Sequence, residues 1–161
     1  MDIWEANSAA TAYKTHSCNI TGSYAADCTS TGVCDQVGGD FNSYRMGDED
    51  FYGPNKTVDT TRNLTVMTQL LTSDGTSSGI LQVIKHKYMQ GGIVISNSSA
   101  SVSGIDPFNA IDDSYWNAEN KAFNGAGRFE QRGGMKQIGE ALGRGMVLVF
   151  SIWIDKSSRI L

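Results

Sequence analysis

Between Asn63 and Ser96 the chain passes through three stretches whose apolar side chains recur at every second position, a period that suits strands and not helices. Leu64, Val66, Thr68 and Leu70 alternate with Thr65, Met67, Gln69 and Leu71, which describes a strand with apolar groups on both faces. Asp74-Gly75 marks a turn. Ile80 to Met89 reads as a second strand, in which Leu81 and Val83 alternate with Gln82, and Lys85 and Lys87 follow. Gln90-Gly91-Gly92 then turns the chain into Ile93-Val94-Ile95. Strands joined by such turns predict an antiparallel meander.

The flanking sequence is less regular. Residues 8–56 are rich in Ser, Thr, Gly, Asn and Asp without a period, and predict long loops. Loops of that length are uncommon unless they serve a binding face. Residues 97–133 return to loop, with a short helix expected near Asn117 to Phe123. Met135, Ile138, Ala141 and Leu142 recur at helical spacing, which predicts a helix over Gly134 to Leu142 closed by Gly143. Met146 to Trp153 reads as a final strand. With 161 residues, 40% hydrophobic content and 18 glycines, the expectation is one domain of all-β class, an antiparallel β-sandwich with long loops and one or two short helices.

Charge and hydropathy exclude more than they select. A net charge of −4 argues against a nucleic-acid partner, which needs clustered Lys and Arg to meet phosphates. The longest apolar run, Met146 to Ile154, is interrupted by Ser151 and is of strand length, so no membrane partner is expected. No phosphate-binding loop or nucleotide motif occurs, and no cofactor is expected.

Chemistry concentrates at the start of the chain. Asp2-Ile3-Trp4-Glu5-Ala6-Asn7-Ser8 brackets an indole with two carboxylates, and carboxyls exchange protons with glycosidic oxygen while indole faces stack on pyranose rings. On a regular strand Asp2 and Glu5 have opposite parity and point to opposite faces. Joint action therefore requires a bulge between them. The competing reading is an exposed acidic pair without a role. Cys18, Cys28 and Cys34 lie close together after His16. These four side chains could ligate zinc, although the paired Cys-x-x-Cys spacing of zinc knuckles is missing. A disulfide with one leftover Cys is the other possibility. Sequons begin at Asn19, Asn55, Asn63 and Asn97, and suit a secretory route without requiring one.

The opening motif resembles the active-site strand of glycoside hydrolase family 7, the fungal and protist cellulases, whose signature is Glu-x-Asp-x-x-Glu. Thr15-His16-Ser17-Cys18, Asp40 to Gly47, Phe51-Tyr52-Gly53-Pro54, Val58-Asp59-Thr60-Thr61 and Gly145 to Trp153 agree in the same order. The resemblance implies a concanavalin-like jelly-roll sandwich with a glucan cleft, covering residues 1–161 as part of a catalytic domain whose opening and closing parts lie elsewhere. It implies Glu5 as acid/base and Asp2 as the assisting carboxylate, with the nucleophile one place before Met1, so that this polypeptide alone is expected to be inactive. His16 matches a histidine beside the acid/base, and Trp153 a tryptophan that stacks a glucose. Asp40 and Arg45 match residues flanking the leaving group, a loop salt bridge being the alternative for that pair. Trp4 is expected to pack behind the motif. Cys18 would pair with Cys34, and a further family disulfide would join positions that are Gly39 and Trp116 here.

The implied function is a secreted, retaining β-1,4-glucanase, monomeric at full length, that acts on cellulose or a related β-1,4-glucan. A short Cys18–Cys34 interval and Val37 in place of a sugar-binding Asp favour internal cutting in an open cleft, while the length of the Ile105 to Gly127 segment favours the tunnel-forming members. Two other classes remain open at this stage: a non-catalytic glucan-binding sandwich and a zinc-stapled interaction domain.

Overall fold

A computed structural model describes residues 1–19 and 33–152. Trp153 and Cys28 lie outside the described residues. The elements are strands β1 (Asp2–Ala6), β2 (Thr11–Thr15), β3 (Gly39–Asn42), β4 (Tyr52–Gly53), β5 (Val58–Asp59), β6 (Thr65–Thr72), β7 (Leu81–Gln90) and β8 (Ile93–Ser96), followed by helices α1 (Asp113–Ala122) and α2 (Gly134–Arg144) with a single 3-10 turn at Glu130–Arg132 between them. β1, β2 and β3 form one antiparallel sheet, and β6, β7 and β8 another. β4 and β5 are a short parallel pair. The chain is all-β in class, with two short helices against its sheets.

The meander of β6 to β8 follows from the alternation, with one refinement. Leu71 pairs with Val83 but Thr72 pairs with Leu81, so β7 carries an extra residue at Gln82. That bulge shifts the parity of the strand. Leu81, Ile84, His86, Tyr88 and Gln90 are buried, and Val83, expected beside Leu81, turns to the outer face.

The two antiparallel sheets meet through aromatic rings. Tyr13 of β2 stacks on His86 of β7 at 3.8 Å and on Phe41 of β3 at 5.9 Å. Around them Met46, Ile84, Ile111, Tyr115, Trp116, Phe129, Met135 and Ile138 complete one core, and Phe51, Tyr52, Val58 and Tyr88 form a second. α1 starts where the Asp112 carboxylate accepts a hydrogen bond from the Tyr115 amide, satisfying a free N–H at the helix start. It docks on β3 through the Tyr115 hydroxyl, which donates to the Asp40 carbonyl at 3.0 Å.

Three expectations are corrected. Among the described residues, 8–56 hold three short strands, because Thr11, Thr15 and Asn42 are polar yet buried, and polar side chains are tolerated inside once hydrogen-bonded. Thr15 Oγ1, for example, donates to the Gly39 carbonyl at 3.2 Å. α2 runs through Gly143 and ends at Gly145, whose φ of 93° is the conformation that favours glycine at a helix end. The described part of the expected final strand, residues 146–152, is not a strand. No described strand lies alongside to complete a ladder, and its apolar side chains face outward, Phe150 at 90% and Ile152 at 98% exposure.

Candidate active site

The first sheet gathers the carboxylates on one face. Asp2 pairs with Lys14 and Glu5 with Ala12, so β1 spends three steps where β2 spends two, and the register shifts between Asp2 and Glu5. This is the bulge that the parity argument demanded, and it turns both carboxyls to the same side of the sheet. Lys14 in turn pairs with Asp40 of β3. Directly opposed residues share a face, so Asp2, Glu5, Lys14 and Asp40 stand together across three strands.

The environment drives the two motif carboxyls apart. Desolvation pushes the Glu5 pKa up, the negative charge of Asp2 adds to that, and Lys14 and His16 oppose it. The Asp2 pKa is pulled down, chiefly by its hydrogen bond with His16. A carboxyl biased towards its protonated form beside one biased towards its ionised form suits the division of roles in acid–base catalysis.

His16 is held from both ends. Its Nδ1 lies 3.0 Å from the Asp35 carbonyl and its Nε2 lies 3.2 Å from Asp2 Oδ2. A carbonyl only accepts, so Nδ1 is the donor in the contact with Asp35. Asp35 is itself buried and anchored, its carboxylate accepting from the amides of Gly38 and Arg128 at 3.1 and 2.9 Å. A side chain at residue 38 would sit 2.7 Å from the imidazole, so the turn beside His16 requires glycine.

Asp40 and Arg45 do come together, but Arg45 is largely committed. One of its terminal nitrogens lies 3.2 Å from Asp40 Oδ1 and also contacts Glu119, and its guanidinium stacks over Phe123 at 4.6 Å. Asp40 and Glu119 are both buried. This is the loop salt bridge of the alternative reading, extended to α1. Trp4 lies behind the motif as expected, its indole N–H donating to Thr11 Oγ1 at 2.9 Å, yet it is 45% exposed rather than packed.

Cys18 and Cys34 form a disulfide, which removes two of the four ligands of the zinc alternative, since a disulfide sulfur is not a thiolate. Among the sequons, Asn97 is buried and its side chain donates to the Asn109 carbonyl; a glycan has no room there.

Sequence reasoning missed Lys14, Asp35, His86 and Glu119. Lys14 had a usable signal, since its even spacing from Ala12 places it on the carboxylate face once the strand is recognised. The other three depend on contacts between segments far apart in sequence.

Residues 1–161 match Glycosyl hydrolase family 7. A probable endo-β-1,4-glucanase of Aspergillus terreus is 47% identical over 98% of this chain, which covers 37% of that protein. The native structure of Humicola insolens endocellulase EGI superimposes with a TM-score of 0.85 at 38% identity, covering 98% of this chain and 39% of that one. An endoglucanase I complexed with cellobiose gives a TM-score of 0.83 at 38% identity, over 96% of this chain and 38% of that one. The chain therefore spans a little over a third of the length of these relatives.

Proposed function

Because this chain belongs to glycosyl hydrolase family 7, we propose that the protein carrying it hydrolyses β-1,4-glucosidic bonds of cellulose or a related glucan by retaining double displacement. Glu5 is the general acid/base and Asp2 the assisting carboxylate. The observation that carries this reading is the pair itself: two carboxyls turned to one face by a bulge, one pushed towards its protonated form and the other towards its ionised form.

The chemistry follows from those states. Glu5 gives its proton to the leaving glycosidic oxygen as the bond to C1 breaks and a carboxylate nucleophile bonds to C1. Water then attacks C1, the ester bond breaks, and the water proton returns to Glu5. Retention calls for a nucleophile about 5–5.5 Å from the acid/base. The first Glu of the family signature would supply it, and turnover is tested in the full-length protein. His16 keeps Asp2 ionised, and a negative Asp2 keeps the Glu5 proton in place between turnovers.

Asp40 stands on the same face and is proposed, with the Arg45 it pairs with, to meet hydroxyls of the leaving sugar, and Trp153 is proposed as a stacking surface. The endoglucanase named among the relatives supports internal cutting. The Cys18–Cys34 disulfide suits an oxidising compartment, in keeping with secretion.

The test is hydrolysis of cello-oligosaccharides by the full-length source protein, followed by NMR of the released anomer. Release with retained configuration, sharply slowed by Glu5→Gln, is the expected result. Binding measured by calorimetry without any cleavage would replace this reading with the glucan-binding one.

A further inference from the structure

We infer that His86 is a positioning residue for the reaction proposed above, holding the β1 bulge in shape through a hydrogen bond from its Nε2 to the Ile3 carbonyl. The inference rests on that reading of Glu5, and goes beyond it by assigning a role to a side chain in the opposite sheet.

The argument begins with the bulge. Across β1 and β2 the register pairs Asp2, Glu5 and Ala6 but passes over Ile3 and Trp4. A bulge disrupts the ladder locally, and a carbonyl that loses its partner must find another. His86 supplies it from β7: Nε2 lies 2.9 Å from the Ile3 oxygen. The ring is fully buried, at 0% exposure. Tyr13 stacks on it at 3.8 Å and Tyr88 meets its edge at 6.3 Å, so the imidazole has little freedom to turn.

Its other nitrogen gives the reason to look for function. Nδ1 is buried and has no hydrogen-bond partner. A phenyl or aliphatic group would fill the same slot without that penalty, so packing alone does not account for histidine. A bare Nδ1 also fixes the tautomer, with the hydrogen on Nε2 facing Ile3. Burial lowers the pKa to about 4, which favours the neutral ring. Tyr13, Tyr88 and the β1 backbone surround it.

The link to catalysis is short. Ile3 lies between Asp2 and Glu5, so a relaxed bulge swings one carboxyl relative to the other. Misplacing an acid matters most when the leaving group needs its proton.

The experiment compares His86→Phe, which keeps an aromatic ring but removes the donor, with His86→Gln, which keeps an N–H. Both are made in the full-length source protein. The readout is kcat/KM on aryl cellobiosides, with dinitrophenyl as the good leaving group and unsubstituted phenyl as the poor one. His86→Phe is expected to lose on the order of tenfold with phenyl and little with dinitrophenyl, since small displacements in a site carry costs of this size. His86→Gln should recover part of the loss. Equal losses on both substrates, or none on either, overturn the inference. Glu5→Gln separates the two levels: if it shows no preference for the good leaving group, the assignment of Glu5 fails, whereas a clear preference there with none in His86→Phe sinks His86 alone. Imidazole nitrogen NMR of the unmodified protein gives a check free of folding effects. A hydrogen on Nε2 is expected, and one on Nδ1 overturns the inference.

Discussion

The two faces of the β1–β2–β3 sheet obey opposite rules. One face carries Asp2, Glu5, Lys14 and Asp40, and the other presents Tyr13 and Phe41 to the core. On the first face, charges are crowded where repulsion and desolvation raise the energy of an ionised Glu5. On the second, stacked rings hide apolar area from water. A single sheet therefore holds a chemically tense surface against a stabilising one, and the difference teaches that a site of this kind is maintained from behind.

The sharpest way to break the comparison is on the carboxylate face. Glu5→Gln should reduce kcat/KM on unactivated glucan by roughly 10²–10⁴-fold in the full-length protein while leaving the melting temperature nearly unchanged. A large fall in melting temperature would mean that the face is structural after all. The converse experiment is Tyr13→Ala, which removes a buried ring from between Phe41 and His86. It should cost about 3–5 kcal/mol in urea unfolding, and activity should fall only in proportion to the unfolded fraction and the loosened bulge.

A third change probes the sheet where α1 meets it. A Cβ on Gly39 would fall 1.8 Å from Trp116 Cδ1, so Gly39→Ala should destabilise by roughly 1–3 kcal/mol through overpacking, measured in the same way. The smallest effect is expected from Lys14→Met. Lys14 makes no ion pair or side-chain hydrogen bond among the described residues, but its charge favours the ionised forms of Asp2 and Glu5. Removing it raises the Glu5 pKa, keeps the acid protonated to higher pH, and moves the alkaline limb of the pH–rate profile upward. A downward move would show that Lys14 does not act on Glu5.

Much of this was legible in the sequence, for reasons that differ by region. β6, β7 and β8 announced themselves because their alternation is local and repeats. The bulge was legible from arithmetic alone, since Asp2 and Glu5 cannot share a face of a regular strand. β2 and β3 were hidden: Thr11, Thr15, Asp40 and Asn42 look like loop residues until their hydrogen bonds are known, and those partners come from other strands and from α1. His86 was hidden more deeply, because nothing near it in sequence speaks of Ile3. The stretch after Gly145 misled in the opposite direction, its apolar run having the look of a strand without a described neighbour to make it one.

The meeting of Gly39 with Trp116 has a consequence for how α1 stays attached. An indole lies in the hollow left by a missing side chain and rests against Phe129. That joint is indifferent to reductants, so thiols strong enough to open Cys18–Cys34 should leave the helix seated beside the sheet that carries Asp2 and Glu5.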